Sequence, residues 1–414
     1  MFKDRAPKAN EVIELSEIVQ AKRLISDVVT KTPFVYAPLL SEKVDANIFL
    51  KKENLQLTGA YKIRGAFNKI SSLSDEEKKR GVIAASAGNH AQGVAYSARH
   101  FGIKAVIIMP EATPLLKVTG TKDLGAEVIL HGDNYDEAYG YALKYAKENN
   151  LIFIHPFEDK KVIAGQGTVA LEMLDEVKDL NTILVPIGGG GLITGVASAV
   201  KQIDPNIRVI GVVSKGAPAM YNSFKAKTAL NSKSVRTIAD GIAVRDVSVQ
   251  NLKSILELVD DIILVDDEEI ATAVLYLLER QKIVVEGAGA TGVAAVMHKK
   301  FNFKKDENIG IVLSGGNIDV GMLSVIIEKG LIKSHRKMKL LITLIDKPGA
   351  LMYLTDILRD ANANIIQIDY DRTSTKLAYG DAKITIVLET KGKEHQSHIK
   401  QMLENNGYLF VEEM

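Results

Sequence analysis

Short runs of Val and Ile alternate with amphipathic stretches along most of the chain. Between about residue 47 and residue 325 the runs are NIFLKK, GVIAAS, KAVIIMP, EVILHG, LIFIHP, TILVPIG, IRVIGVV, DIILVDD and IGIVLSGG. Stretches such as HAQGVAYSARHFG, NYDEAYGYALKYAKENN and EEIATAVLYLLERQK follow them and read as helices. Strands that are apolar throughout and separated by helices predict a parallel sheet covered on both faces, the doubly wound α/β class.

The pattern changes at KGLIKSHRKM, where a basic polar stretch predicts a linker over 329–337 between a large portion, 1–328, and a tail, 338–414. The tail reads strand, helix, strand, strand, helix, strand, the ferredoxin-like βαββαβ order. A unit of roughly 75 residues can hold its own core. It carries no constellation that looks catalytic, so a binding or regulatory role is expected of it. No internal repeat or low-complexity segment is present.

Composition narrows the function. A chain of 414 residues is long for one core. Its 52 Lys and Arg against 51 Asp and Glu leave a net charge of +1, which gives no electrostatic case for nucleic acid or an anionic membrane surface. A small-molecule partner is expected instead. The absence of cysteine excludes disulfides, thiolate catalysis and Cys-ligated metals. The eight histidines form no HExxH or other metal spacing, so no metal is expected. The N-terminus has charges where a signal peptide needs its apolar run, and no stretch of about 18 apolar residues occurs, so the expected location is the cytoplasm.

Three glycine or serine turns carry the chemistry. In TILVPIGGGGLITGVASAVKQ a strand runs into Gly188, Gly189, Gly190 and Gly191, and a helix is expected from about Leu192. Amides at a helix N-terminus, freed of Cβ atoms, make a phosphate site. Ile193 or Thr194 stands where a dinucleotide fingerprint needs its third glycine, and Val196 stands where a P-loop needs lysine. Close helix packing also explains the glycines, but four in a row lose much backbone entropy, which favours phosphate. Ser86, Gly88 and Asn89 form a second turn, and Ser314, Gly315, Gly316 and Asn317 a third. Each alone reads as a helix cap. All three fall at C-terminal ends of expected parallel strands, where open α/β sheets bind ligands. Lys62, in TGAYKIRGAFNKI, stands at what looks like the buried start of a helix. Its residue type decides nothing, because most lysines sit in water, as Lys51, Lys52 and Lys69 are expected to do.

With these motifs in this order, the chain closely resembles the pyridoxal-phosphate enzymes of the tryptophan-synthase-β fold, also called fold type II, and within them the threonine ammonia-lyases, or threonine dehydratases. The motifs are ENLQLTGAYKIRGA, SAGNHAQGVA, HPFEDKKVIAGQGT, PIGGGGLITG, GAPAM, TIADGIAV, EGAGA and LSGGNID, spread over residues 10 to 325. The tail resembles an ACT domain. The resemblance implies two parallel-sheet subdomains, the smaller one inserted at about 50–155, and pyridoxal 5'-phosphate as cofactor. It implies that Lys62 is the lysine joined to that cofactor. Gly188 to Gly191 and Leu192 would hold the phosphate, Asn89 would touch the ring hydroxyl, and Ser314 would face the pyridine nitrogen. Ser86, Gly88, His90 and Gly241 would meet the substrate.

The implied reaction is β-elimination of water from L-threonine to give 2-oxobutanoate and ammonia, with L-serine as a second substrate. A serine-preferring dehydratase and a non-catalytic amino-acid sensor are the alternatives, and the sensor is disfavoured because Lys62 and the glycine loop are intact. Isoleucine or valine is the expected effector at the tail, with Asp346, Gly349 and Asn364 as its contacts, although turn chemistry explains those three equally well. The family implies a homodimer or homotetramer. Ala87 matches the position at which serine racemases carry a serine, which demotes racemisation. Ser214 and Lys215 stand where relatives with a divalent cation place an acidic residue, which disfavours magnesium. Tyr61 replaces a common phenylalanine, a change expected to matter little. Asp240 matches the family pattern near the cofactor, and Glu286 reads equally as a pocket carboxylate or a first-turn charge.

Overall fold

The computed structural model describes residues 12–373 and 377–413. The signal-peptide argument from residues 1–11 therefore lies outside the described residues. The chain divides into two compact units, Met1–Asp319 and Val320–Met414.

The first unit contains β1 (Phe34–Tyr36), β2 (Asn47–Lys51), β3 (Val82–Ala85), β4 (Ala105–Met109), β5 (Glu127–Leu130), β6 (Ile152–Phe153), β7 (Thr182–Pro186), β8 (Arg208–Ser214), β9 (Asp261–Val265) and β10 (Asn308–Val312). They form a six-stranded sheet in the order β1-β2-β10-β7-β8-β9 and a four-stranded sheet in the order β5-β4-β3-β6. The nine apolar runs become β2 to β10, and every pairing among them is parallel. β3, β4 and β7 are buried along their whole length, as strands covered on both faces must be. The exception is β1, three residues set between Pro33 and Pro38, which pairs antiparallel on the edge beside β2.

One helix sets the spacing of the site. Lys160–Glu176 is capped by Asp159 and buried from Val162 to Leu174. On one side it meets the helix Lys62–Ser71, where a Cβ on Gly165 would lie 2.5 Å from the carbonyl oxygen of Arg64. On the other it meets Gly191–Ile203, where a Cβ on Gly195 would lie 2.4 Å from the carbonyl oxygen of Ile163. Both contacts bring backbone against backbone, which only glycine allows. The helix that starts with Lys62 and the helix that follows the tetraglycine turn are thus held at fixed distances from one common element.

The second unit contains β11 (Lys337–Ile345), β12 (Asn364–Asp371), β13 (Asp381–Glu389) and β14 (Leu409–Glu413), with helices Ala350–Asp360 and Lys393–Asn405 between them. The sheet order is β12-β13-β11-β14 with antiparallel pairing throughout, which is the expected βαββαβ unit. Leu340, Ile342, Leu354, Leu358, Ile384, Ile386, Ile399 and Leu403 build its own core. The linker expected over 329–337 is a correction. A helix, Val320–Lys333, occupies its first part, β11 begins at Lys337, and the units divide after Asp319 rather than after residue 328. Leu323, Ile326, Ile327 and Leu331 carry a helical period through the basic residues, and that period decides the local structure.

Candidate active site

The loop before Lys62 is laced to the chain beyond β10. Asn54 donates its amide to Leu313 O at 3.0 Å, Tyr61 to Ser314 O at 3.0 Å, and Gly316 to Gly59 O at 2.8 Å. Gly59 has φ +70°, and a Cβ there would lie 2.4 Å from the Asn317 side chain. This lacing sets Lys62, the first residue of its helix, beside Ser314. It also corrects the reading of Ser314 as a helix cap, since the next helix starts only at Val320.

Two residues further on, Arg64 anchors the same helix turn. Its guanidinium donates to both Glu53 oxygens at 2.8 Å, to Glu172 at 2.7 and 2.9 Å, and to Thr168 at 3.1 Å. Lys51 completes the set at 2.5 Å from Glu172. Lys51 is fully buried rather than a surface lysine, because this network gives its charge a partner. Burial raises the Glu53 carboxyl, but Arg64, Lys51 and Thr32 outweigh it and hold the group below its ordinary value.

The Lys62 amine donates to the Pro156 carbonyl at 2.9 Å. Burial lowers it to about 8, and the nearby Glu286 carboxylate opposes part of that fall. The Tyr61 ring lies beside it, with the amine 5.4 Å from the ring centre.

Two further turns bring amides to this lysine's surroundings. Among the described residues, the amides of Gly188 to Ile193 have no backbone acceptor, and Thr194, bonded to Gly190 O at 3.0 Å, is the first of that helix to have one. Five of these six residues are buried. Buried unpaired amides at the start of a 13-residue helix call for an anion. Packing also demands the glycines: a Cβ at Gly189 or Gly191 would strike Phe157, one at Gly188 would strike Ile242, and Gly190 has φ +91°. Ser86 lies just beyond β3 and accepts the Gly88 amide at 3.2 Å, ahead of the helix Asn89–His100. Gly88 has open space on its Cβ side. The three turns lie beyond β3, β7 and β10, so strand ends of both sheets contribute to one site.

Glu286 closes the ring of groups. It precedes the helix Gly287–Met297 without capping it by its side chain, which turns to Asn89 at 2.9 and 3.1 Å. The pocket reading of Glu286 therefore holds over the first-turn reading. Burial and then Asp240 raise its carboxyl to about 7, against hydrogen bonds from Asn89 and Asn317 and the charge of Lys117. Asn317 donates to Asn89 Oδ1 at 2.8 Å, which fixes the orientation of that amide. Gly241 lies where a Cβ would come within 3.0 Å of Glu286. Asp240 pairs with Lys117 at 2.7 Å.

The His90 side chain is turned away from the 86–90 turn. Its Nε2 bonds the Ile154 carbonyl at 2.9 Å, Nδ1 has no partner among the described residues, and burial followed by Lys62 lowers the ring to about 3, so it is neutral. The side chain anchors the chain just beyond β6, which leaves the backbone amide as the part of His90 available to a carboxylate. Sequence reasoning passed over His155, whose Nδ1 accepts the amides of Phe157 and Glu158 at 3.2 and 2.9 Å, leaving Nε2 to meet Glu158 at 3.3 Å. Ser214 donates to Thr237 at 2.7 Å and Thr237 to Asp267 at 2.6 Å, and among the described residues no group of three His, Asp or Glu suits a metal.

The three residues expected to bind an effector do not meet within one chain. Asp346 follows the end of β11 and accepts the Tyr370 hydroxyl at 2.8 Å, and Gly349 precedes the helix Ala350–Asp360. Asn364 is opposite Glu389, at the end where β11 begins. The helix Ala350–Asp360 runs back along the sheet and carries the chain to that far end.

The first site can thus receive an anion on the amides of 188–193, a carboxylate at the 86–90 turn, and an electrophilic carbon at Lys62. The residues present fit a phosphorylated carbonyl cofactor. The family model described as pyridoxal-phosphate dependent enzyme matches residues 25–315. The L-threonine ammonia-lyase of Thermotoga maritima is 47% identical over 397 residues, covering 96% of this chain and 98% of that protein. The processed form of threonine deaminase isoform 2 from Solanum lycopersicum superposes with a TM-score of 0.73 at 38% identity, over 76% of this chain and 86% of that one. Maize serine racemase also gives 0.73, at 37% identity over 79% of this chain and all of that one. With Lys62, the amide turns and the two-sheet frame in place, the chain belongs to the pyridoxal-phosphate dependent enzyme family.

Proposed function

We propose that the protein is an L-threonine ammonia-lyase, which converts L-threonine to 2-oxobutanoate and ammonia and turns L-serine into pyruvate by the same route. The convergence of a low-pKa lysine with the unpaired amides of 188–193 and the Ser86–His90 turn carries this reading. When bound, pyridoxal phosphate supplies an electron-withdrawing ring that acidifies the Cα–H of an attached amino acid.

The remaining work falls to this chain. The amides of Gly188 to Leu192 receive the phosphate at the start of their helix. Asn89, held by Glu286 and Asn317, would meet the ring hydroxyl. Ser314 would present a neutral hydroxyl to the ring nitrogen, a partner that would leave it largely unprotonated and suits β-elimination better than transamination. Ser86, through its hydroxyl, and the turn through Gly88 to the His90 amide would take the substrate carboxylate at the N-terminus of Asn89–His100, with Gly241 across from them.

Lys62 takes the proton from Cα. An amine at about 8 is about one-tenth neutral at pH 7, whereas an ordinary lysine is almost wholly charged. Ala87 offers no second base, so the proton is not returned to the other face. Water leaves across Cα–Cβ and one water is consumed in releasing ammonia, so threonine gives 2-oxobutanoate and ammonia with no other reactant.

The second unit is read as a module for an amino-acid effector, isoleucine or valine, in a cytoplasmic homodimer or homotetramer. The test is a keto-acid assay of the purified protein with L-threonine and, separately, L-serine. The expected result is 2-oxobutanoate formed faster than pyruvate, with Lys62→Ala inactive on both. Turnover of neither amino acid by the cofactor-loaded protein would refute the assignment.

A further inference from the structure

We infer that Asn251 is a positioning residue for the phosphate end of the site, a role that rests on the reading of the tetraglycine turn as the phosphate cradle. Asn251 lies in the first turn of the helix Val249–Leu258 and is fully buried. Its Nδ2 donates to two main-chain oxygens, Gly189 O at 2.8 Å and Phe157 O at 2.8 Å. Both neighbours are carbonyl oxygens, so only the orientation with Nδ2 toward them is allowed. Its Oδ1 has no partner among the described residues. Both donors are thus spent on these two carbonyls, while the acceptor of the same side chain goes unsatisfied.

The consequence for the cradle follows from the planar peptide. The carbonyl of Gly189 and the amide of Gly190 belong to one peptide plane and point opposite ways. Holding the carbonyl toward Asn251 aims the Gly190 amide away from the helix Val249–Leu258, as one of the six unpaired amides. Gly190 reinforces this, since its φ of +91° and the Asn251 Cβ, 3.1 Å from where its own Cβ would stand, leave the loop a single path.

The second bond reaches the other end of the site. Phe157 follows Pro156, whose carbonyl accepts the Lys62 amine. One side-chain amide therefore ties the segment that follows the Lys62 acceptor to the loop that takes the phosphate. His155 secures the same segment as well, accepting the Phe157 and Glu158 amides.

The test compares two cofactor forms on the full-length protein. Dissociation constants are measured for pyridoxal 5'-phosphate and for pyridoxal, which lacks the phosphate, in the wild type and in Asn251→Leu, a neutral variant of similar size. The expected result is a loss of about tenfold or more for pyridoxal 5'-phosphate, with pyridoxal binding nearly unchanged. A general packing defect would weaken both forms alike, and that result, or no loss of either, would overturn the role of Asn251. A wild type that binds the two forms equally would instead overturn the cradle reading itself. Asn251→Ser, smaller and still polar, repeats the comparison if the leucine variant does not fold.

Discussion

Lys62 and Glu286 are moved toward neutrality from opposite sides, the amine down to about 8 and the carboxyl up to about 7, in each case by burial first. Their interaction fixes the sign of a pH experiment. The Glu286 carboxylate favours the charged lysine, so replacing it with neutral glutamine leaves burial unopposed and Lys62 falls below about 8. In protein freed of cofactor, capture of a simple aldehyde by Lys62 should rise with pH to a midpoint near 8, and in Glu286→Gln that midpoint should move to lower pH. An unmoved or raised midpoint would show that the two groups do not interact as described. Glu286 is only half legible in the sequence, since VVEGAGA suits a helix start as well as a pocket. The bonds to Asn89, 197 residues away, decide it. Asn251 and His155 carry no local signal at all, because each acts on main-chain groups that the fold alone brings near.

At the scale of elements, the separation of lysine and cradle depends on the two glycine contacts of the helix Lys160–Glu176. Gly165→Ala would place a methyl group 2.5 Å from Arg64 O, with backbone on both sides and nowhere to yield. The helix that begins at Lys62 must then move, at a cost of about 1–3 kcal/mol in stability. Thermal unfolding should register that loss, and turnover should fall with it because Lys62 shifts relative to the glycine turn. An alanine variant with wild-type stability and turnover would mean that this contact does not set the site. The strands are highly legible, since a strand covered on both faces writes its burial as an unbroken apolar run. β1 escapes because three residues between prolines make no run, and Ser314 is misread as a cap because its true partners are the residues around Gly59, far away in sequence. The linker expectation fails because the density of basic charge there masks the helical period beneath it.

For the molecule as a whole, the site exists only where two sheets meet. Ser86 comes from beyond β3 in the smaller sheet, and Gly188 and Ser314 come from beyond β7 and β10 in the larger. Ion pairs span the same division: Lys117 with Asp240, and Asp136 with Arg245. Both hold the segment around Gly241 against helices of the smaller sheet. The motifs name most of the residues that converge, but not the order of strands that makes them converge or the charges that hold the two sheets together. We propose that this convergence makes Lys62, among the 52 lysines and arginines of the chain, the one side chain that captures the cofactor. Borohydride reduction of the cofactor-loaded protein, followed by peptide mapping by mass spectrometry, tests it directly. The pyridoxyl label is expected on the peptide containing Lys62, with no labelled peptide in Lys62→Ala. A label on another lysine, or retention of the label in that variant, would contradict it.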